Sequence, residues 1–360
     1  MKKKQKLVIV GLGMAAVRLL DELVKYKEQD RYEIVVFGDE KVGGYNRILL
    51  SHVLSGEQTL ADIISHDEAW FDRHEIRWFG HRKVTRLYPD AKYLVDNTGE
   101  CLDYDLLVLA TGSLPVRADI KGNQLAGVLS FRDVFDVQQL LALQAQASRV
   151  MVIGAGLLGL EAAYGLVKQG LSVTVVHRSD RIMSQQLDHH SAKLLQTQLE
   201  YLGIEFVLSA QITEIQGNER VQAVQLSTGE VVPTQAVVMA MGIKPNVELA
   251  RTSGLSVNRG IMVDAQLNSS IQGIYALGEC SEFEGQTYGL VAPIYRQVSV
   301  LVNHLCGDDS ARFSNQETPT QLKVSGISLS SFGSPLGSED TQSLIAEDRS
   351  HNWYRKIMLD

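Results

Sequence analysis

Cysteine is scarce in this chain: 360 residues contain three, Cys101, Cys280 and Cys306. They lie far apart, with no CxxC pair and no Cys/His ligand spacing. That pattern excludes a zinc or iron–sulfur site within this segment and a redox-active dithiol, and it suits a reducing cytoplasm. No metal ligand is therefore expected. An excess of positive charge is also lacking, since 34 Lys and Arg face 42 Asp and Glu for a net charge of −8. Such a balance argues against a general nucleic-acid binder. The Lys2-Lys3-Lys4 run reads as a solvated tail. No apolar stretch is long enough to span a bilayer uninterrupted, so no membrane partner is expected. The apolar stretch near the N-terminus reads as a strand rather than a signal peptide. What remains is an ordinary globular composition, 45% apolar and 21% charged, long enough for two or three domains.

Two glycine-rich loops stand out against this background. The first is Gly11-Leu-Gly13-Met-Ala15-Ala16 and the second is Gly154-Ala-Gly156-Leu157-Leu-Gly159. Each follows an apolar strand, Leu7–Val10 or Val150–Ile153, and opens a helix. The first glycine permits the tight turn. The second lets backbone N–H groups and the helix dipole approach a pyrophosphate, and the third position allows close helix–strand packing. One such loop implies one dinucleotide. Two in one chain suggest that two dinucleotides meet, with electrons passing from a nicotinamide to a flavin. Two ordinary strand-to-helix turns are the bland alternative.

Further strands follow each loop, Ile34–Phe37 and Val173–Val176, and Glu161 to Gly170 reads as helix. Apolar strands run into Ala110-Thr111-Gly112 and Gly242-Ile-Lys-Pro245, and a third ends at Gly278-Glu279-Cys280. These returns predict an α/β fold of two doubly wound (Rossmann-like) dinucleotide-binding domains, one inserted in the other. Expected boundaries are 1–115, 116–245 and 246–306. A small C-terminal α+β domain, 307–360, is expected to be incomplete at residue 360. Within it Asp308–Pro319 reads as loop, and Leu322–Phe332 alternates like a strand.

This order of motifs resembles the FAD-dependent pyridine nucleotide reductase family over residues 5 to about 306. Within that family, Tyr45–Ser51, Gln186-Leu-Asp188 and Gly278–Cys280 are similar to the N-terminal part of NAD(P)H-dependent nitrite reductase large subunits and to the electron-transfer subunits of assimilatory nitrate reductases. The resemblance implies FAD on the first loop and NADPH or NADH on the second. It implies an electron acceptor protein or domain holding an iron–sulfur, siroheme or molybdenum centre. It also makes 307–360 an interface domain. Those larger proteins carry cysteine-rich segments that this chain lacks, so nitrite reduction by this chain alone is not expected.

Residue roles follow from the same resemblance. Gly11, Gly13, Ala15, Ala16, Ala110, Thr111 and Gly112 belong with FAD, and Arg47 lies in the matching Tyr45–Ser51 segment. Asp39, or its neighbour Glu40, is the candidate for the FAD ribose; a solvated turn acid is the alternative. Glu279 matches the family's acid on the flavin ribityl chain. Arg132 matches an arginine near the FAD phosphates and Val84 a backbone contact to adenine, although both suit structural roles equally. The helix opening at Val291-Ala292-Pro293 is expected to aim its positive end at the flavin.

On the nicotinamide side, Gly154, Gly156, Leu157, Gly159 and Gly242 belong to the loop and its return. Glu161 matches a glutamate near the nicotinamide, with His52 standing where relatives use lysine. A His52–Glu161 contact or an exposed, idle His52 are both open. His177-Arg178, with Arg181 close by, replaces the acid that strict NADH enzymes carry, and such a cationic cluster suits a 2′-phosphate. Solvated arginines are the alternative. Cys280 reads as a small buried residue. The resulting reading is an FAD-dependent NAD(P)H oxidoreductase in nitrate or nitrite reduction. A rubredoxin or ferredoxin reductase is the second reading, and a flavin-binding module without turnover the third. A disulfide reductase is disfavoured because Asn46–His52 holds no cysteine.

Overall fold

The computed structural model describes residues 4–317, 320–324, 327–333, 342–348 and 353–359. Lys2, Lys3, the last two residues of the Asp308–Pro319 loop and Asp360 lie outside these. Ten strands build two parallel sheets. In chain order they are β1 (Gln5–Val10), β2 (Tyr32–Phe37), β3 (Arg77–Phe79), β4 (Leu106–Leu109), β5 (Val128–Ser130), β6 (Arg149–Ile153), β7 (Ser172–Val176), β8 (Ile204–Val207), β9 (Ala236–Met239) and β10 (Ile274–Ala276). The principal helices are α1 (Met14–Lys25), α2 (Val134–Ala142), α3 (Leu157–Lys168), α4 (His189–Tyr201) and α5 (Val291–Leu305).

The first sheet runs β10-β4-β1-β2-β3 and the second β5-β9-β6-β7-β8. These are one topology used twice. In each, the strand before the glycine loop is central, paired on one side with the next strand and on the other with the return strand. Full burial on both faces explains why β1, β6 and β9 read as continuous runs of Val, Ile, Leu and Met rather than alternating. Leu7, Val8 and Ile9 are fully buried, as are Val152, Val237 and Val238. In the first sheet, α1 lays Ala16, Leu19, Leu20 and Leu23 on one face, where α5 adds Val298 and Leu301.

The chain divides into two compact units. One comprises residues 1–50, 58–114 and 243–316; the other comprises 51–57, 115–242 and 317–360. The partition differs from the sequence boundaries in the placement of 51–57 and of 307–360, whose last part, 317–360, groups with the second unit, and by one and three residues at the junctions after 114 and 242. The segment 51–57 joins the second unit, because Leu54 seats against α3: a Cβ at Gly165 would lie 2.6 Å from Leu54 Cγ, and Gln169 Nε2 donates to Leu54 O at 2.9 Å. Residues 307–316 join the first unit, where the Phe313 amide donates to Ala265 O at 2.7 Å.

The described part of 317–360 holds two antiparallel pairs, Thr320–Val324 with Ile327–Ser331 and Gln342–Asp348 with Trp353–Leu359. The single alternating run expected over Leu322–Phe332 is thus a hairpin arm and its return. α3 begins at Leu157, directly after the loop, four residues before the predicted helix start at Glu161.

Candidate functional site

Each glycine loop is shaped by the return strand beside it. Gly11 has φ +104°, and a Cβ there would lie 2.2 Å from the Ala110 carbonyl oxygen. Gly154 has φ +108°, and its Cβ would lie 2.3 Å from the Ala240 carbonyl oxygen. Side chains are thereby excluded at both positions. The surrounding backbone bonds repeat as well. Gly11 N donates to Phe37 O at 2.8 Å and Ala110 N to Val10 O at 2.8 Å; Gly154 N donates to Val176 O at 2.9 Å and Ala240 N to Ile153 O at 2.9 Å. Gly159 is equally constrained, since its Cβ would meet Gly154 O at 2.0 Å. Ala16 takes the corresponding place in the first loop and is fully buried. Among the described residues beyond its chain neighbours, no atom lies within 4 Å of a Cβ at Gly156, which leaves room over that loop.

Helix capping sorts the N-termini into two kinds. Among the five described helices of nine or more residues, α2 and α4 are capped by Asp133 and Asp188, whose side chains accept from Asp136 N and Ser191 N. α1, α3 and α5 start at Gly13, Gly156 and Leu290 with no side-chain cap. Their first N–H groups are available to an anion, and the helix dipole favours one there. These are the three helices predicted to face cofactors.

Around the first loop, a Cβ at Gly13 would lie 3.9 Å from Arg47 Nε, so a guanidinium sits beside the turn. Glu40 holds that arginine: its Oε1 pairs with Arg47 at 2.5 Å and its Oε2 accepts from Tyr45 Oη at 2.8 Å. Of the two acids after β2, Glu40 is the one built into this cluster, and Asp39 is exposed. Val84 is buried in a strand register opposite Asp96.

On the return side, Gly278 has φ +85° and its Cβ would meet Ala15 Cβ at 3.0 Å. Glu279 Oε2 accepts from Ser113 Oγ at 2.7 Å and lies 4.0 Å from a Cβ at Gly112. Thr111 Oγ1 donates to Asn246 O at 2.7 Å. Buried Gln297 of α5 accepts from Gly278 N at 2.8 Å, tying the helix opened by Val291 and exposed Ala292 to this turn.

In the second unit, Glu161 lies on the second turn of α3, and burial pushes its carboxyl up to about 8. His52 lies on the segment seated against the same helix. Its Nε2 lies 3.7 Å from a Glu57 carboxylate oxygen. His177 follows β7, and its Nδ1 accepts from Ala155 N of the loop at 3.3 Å. Arg178 is exposed. Arg181 departs from the expected cationic cluster. Its Nε donates to Leu187 O at 3.1 Å, one terminal nitrogen donates to Ser184 O at 3.0 Å and the other pairs with Asp180 at 3.3 Å. It is folded into the 180–188 loop as scaffold. Gly242 has φ +104° and accepts from Val116 N at 2.9 Å. Arg132 directly precedes the α2 cap and lines a cavity of about 630 Å³ with Arg117, Phe135 and Arg220.

Several partners were not legible from sequence. Ser113, Gln297 and Glu57 carry no motif, and only their contacts reveal them; Tyr45 opens a matching segment, but its bond to Glu40 is not encoded there. Asp188 was part of a motif, but its role is structural. It caps α4, accepts from Ser191 Oγ at 2.5 Å and pairs with Lys356 at 2.9 Å. Burial alone would raise its carboxyl; the Ser191 and Lys356 contacts outweigh that and hold it at about 2. Cys280 is fully buried, its thiol facing Leu109 O and Leu277 O, and burial raises it. Cys101, Cys280 and Cys306 are all free thiols. No cluster of three His, Cys, Asp or Glu side chains among the described residues could hold a metal, and none of their helices is long and apolar enough to cross a membrane.

Comparison with known proteins fits this doubled architecture. Over 356 residues, 99% of the chain, it is 40% identical to the nitrite reductase [NAD(P)H] of Bacillus subtilis. It is also 40% identical to that organism's assimilatory nitrate reductase electron transfer subunit, over 357 residues. The chain spans 44% and 46% of those two proteins. The ferredoxin reductase for the CYP199A2 system of Rhodopseudomonas palustris superposes with a TM-score of 0.89 at 27% identity, covering 99% of this chain and 88% of that one. Residues 5–301 match the family described as pyridine nucleotide-disulphide oxidoreductase, and the chain belongs to that family.

Proposed function

We propose that this chain oxidises NAD(P)H and passes the electrons, through FAD, to a metal-containing acceptor in nitrite or nitrate reduction. The observation that carries the reading is the pair of equivalent glycine loops, each opening an uncapped helix N-terminus. Two such loops are two pyrophosphate sites. The relatives at 40% identity supply the biological setting, and they are roughly twice as long. The acceptor centre, iron–sulfur, siroheme or molybdenum, belongs in this reading to a partner or to further polypeptide.

The residues fit an FAD on the first loop. The Gly11 turn keeps Cβ atoms out of the phosphate path, and Arg47, held by Glu40, supplies a cation beside Gly13. Glu279 and the uncapped N-terminus at Val291 and Ala292 supply an acceptor and donors on the return side. When bound, the flavin supplies hydride acceptance and onward electron delivery. The chain binds, orients and excludes water. Glu161, burdened by burial, keeps its carboxyl proton near neutrality and is offered as a neutral donor at the nicotinamide side.

The second loop with Gly154, Gly156, Leu157 and Gly159 takes the pyridine nucleotide. A ferredoxin-type carrier as acceptor is the second reading, favoured by the ferredoxin reductase that this chain covers almost completely. The FAD-loaded chain is expected to oxidise NAD(P)H with ferricyanide as acceptor and to leave nitrite unreduced. Nitrite reduction by the chain alone would contradict a separate acceptor centre.

A further inference from the structure

Met183 has φ +48°, in the left-handed region that a non-glycine residue rarely occupies and that persists only where the surroundings fix it. It is almost fully buried, as is Ile182 before it. What fixes it is a turn in which the carbonyls of residues 183, 184, 186 and 187 are all taken. Met183 O accepts from Gln186 N at 2.8 Å and from Leu187 N at 2.9 Å. Arg181 donates to Ser184 O at 3.0 Å and to Leu187 O at 3.1 Å. Ser331 Oγ donates to Gln186 O at 2.7 Å. The turn ends at Asp188, whose carboxylate accepts from Lys356 Nζ at 2.9 Å and from Tyr354 Oη at 3.4 Å. Ser331 belongs to one C-terminal strand pair, Tyr354 and Lys356 to the other. Both pairs therefore clamp the turn.

At its other end the turn grips the second glycine loop. Met183 N donates to Ala155 O at 2.9 Å. Ala155 lies between the two glycines and is fully buried, and its own N donates to His177 Nδ1 at 3.3 Å. Its backbone is thus held on both sides. In a planar trans peptide the C=O and the following N–H point in opposite directions. With Ala155 O committed to Met183, the Gly156 N–H faces away from the turn. Gly156 opens α3 without a side-chain cap and is partly exposed, so its N–H is among the donors that an anion at this helix start meets. If the clamp is released, Met183 can relax from its left-handed conformation, and the Ala155–Gly156 peptide loses the bond that orients it.

We propose that Met183 is a positioning residue for the coenzyme: clamped from the C-terminal strands through Ser331 and Lys356, it orients the Gly156 N–H toward the pyrophosphate, and so links coenzyme binding to the docking of those strands. The inference rests on the reading of the second loop as the pyridine nucleotide site. The linkage is reciprocal: the factor by which the clamp raises coenzyme affinity is the factor by which bound coenzyme tightens the clamp.

The test is calorimetric titration of the FAD-loaded full chain with NADP⁺, and with NAD⁺ in parallel. Ser331 and Lys356 bond to the turn rather than to the loop, yet Ser331→Ala combined with Lys356→Met is expected to weaken coenzyme binding by about fivefold or more. Lys356→Arg, which keeps the charge beside Asp188, retains the wild-type affinity. In rapid-mixing reduction of the flavin, the double variant is expected to need more NAD(P)H for half the maximal rate and to reach the same limiting rate. Hydrogen exchange gives a second readout that needs no variant. Saturating coenzyme is expected to slow exchange at the Met183 amide and in 342–348 and 353–359. Wild-type affinity in a double variant that keeps its flavin and its circular dichroism would overturn the proposal, as would wild-type exchange indifferent to bound coenzyme. Failure of both nucleotides to bind the wild type would overturn the nucleotide-site reading itself, and this inference with it.

Discussion

Gly11 faces the carbonyl oxygen of Ala110 so closely that a Cβ would stand 2.2 Å from it, and the relationship recurs at Gly154 and Ala240. Both glycines also sit at positive φ. Alanine at either site must move the return strand or distort the loop, at a cost of about 1–3 kcal/mol for the clash alone, before the strain of the left-handed backbone. Gly11→Ala is therefore expected to purify with flavin affinity reduced by about tenfold or more. Gly154→Ala is expected to keep its flavin and lose reduction by pyridine nucleotide. Flavin content after gel filtration, and flavin absorbance after NADPH addition, check the two. Equivalent losses in both variants would contradict the assignment of one loop to each nucleotide.

Arg47 connects Glu40 to the first loop. Arg47→Ala removes a charge-assisted contact of about 1.5–3 kcal/mol and leaves Glu40 with an uncompensated charge beside an anion site. Flavin dissociation measured by fluorescence recovery is expected to be faster in Arg47→Ala than in Arg47→Lys. Identical rates in both variants and the wild type would remove Arg47 from the site.

Asp188 and Lys356 tie the paired strands Gln342–Asp348 and Trp353–Leu359 to the start of α4 within the second unit. The Ser191 and Lys356 contacts hold the Asp188 carboxyl at about 2, below the ordinary 3.8. Its contribution is thus complete above about pH 4 and is lost as pH falls through 2. Asp188→Ala loses both the cap and the pair, about 1–3 kcal/mol at pH 7. Hydrogen exchange of residues 342–348 and 353–359 is expected to quicken in Asp188→Ala and in Lys356→Met at pH 7. Unchanged exchange would show that the pair does not hold these strands.

Glu161 has the opposite sign. Burial pushes its carboxyl up to about 8 from the ordinary 4.5. Between those values the native state keeps a proton that the unfolded chain has released, so stability falls as pH rises from about 4.5 to 8 and levels off beyond. Glu161→Gln lacks this slope. The melting temperature of the variant relative to wild type is expected to rise between pH 5 and pH 9, and a constant difference would mean that Glu161 ionises normally.

Much of this was legible in the residues. The loops announce themselves because φ above zero and close backbone approach demand glycine at fixed spacing. β1, β6 and β9 are legible because strands buried on both faces must be apolar throughout. The partners are another matter. Glu57 meets His52, Ser113 meets Glu279 and Lys356 meets Asp188 through tertiary contacts that no local pattern encodes. Arg181 misled for the same reason. A cation near a predicted phosphate site looks available until the carbonyls that hold it are seen. The extra turn of α3 lay hidden because Leu157–Leu160 begins within the loop motif itself.

The most direct test of the account is an anaerobic titration of the FAD-loaded chain with NADPH and then NADH, followed by flavin absorbance. The account predicts bleaching at one equivalent of pyridine nucleotide per flavin. A yellow protein that neither nucleotide bleaches would contradict it.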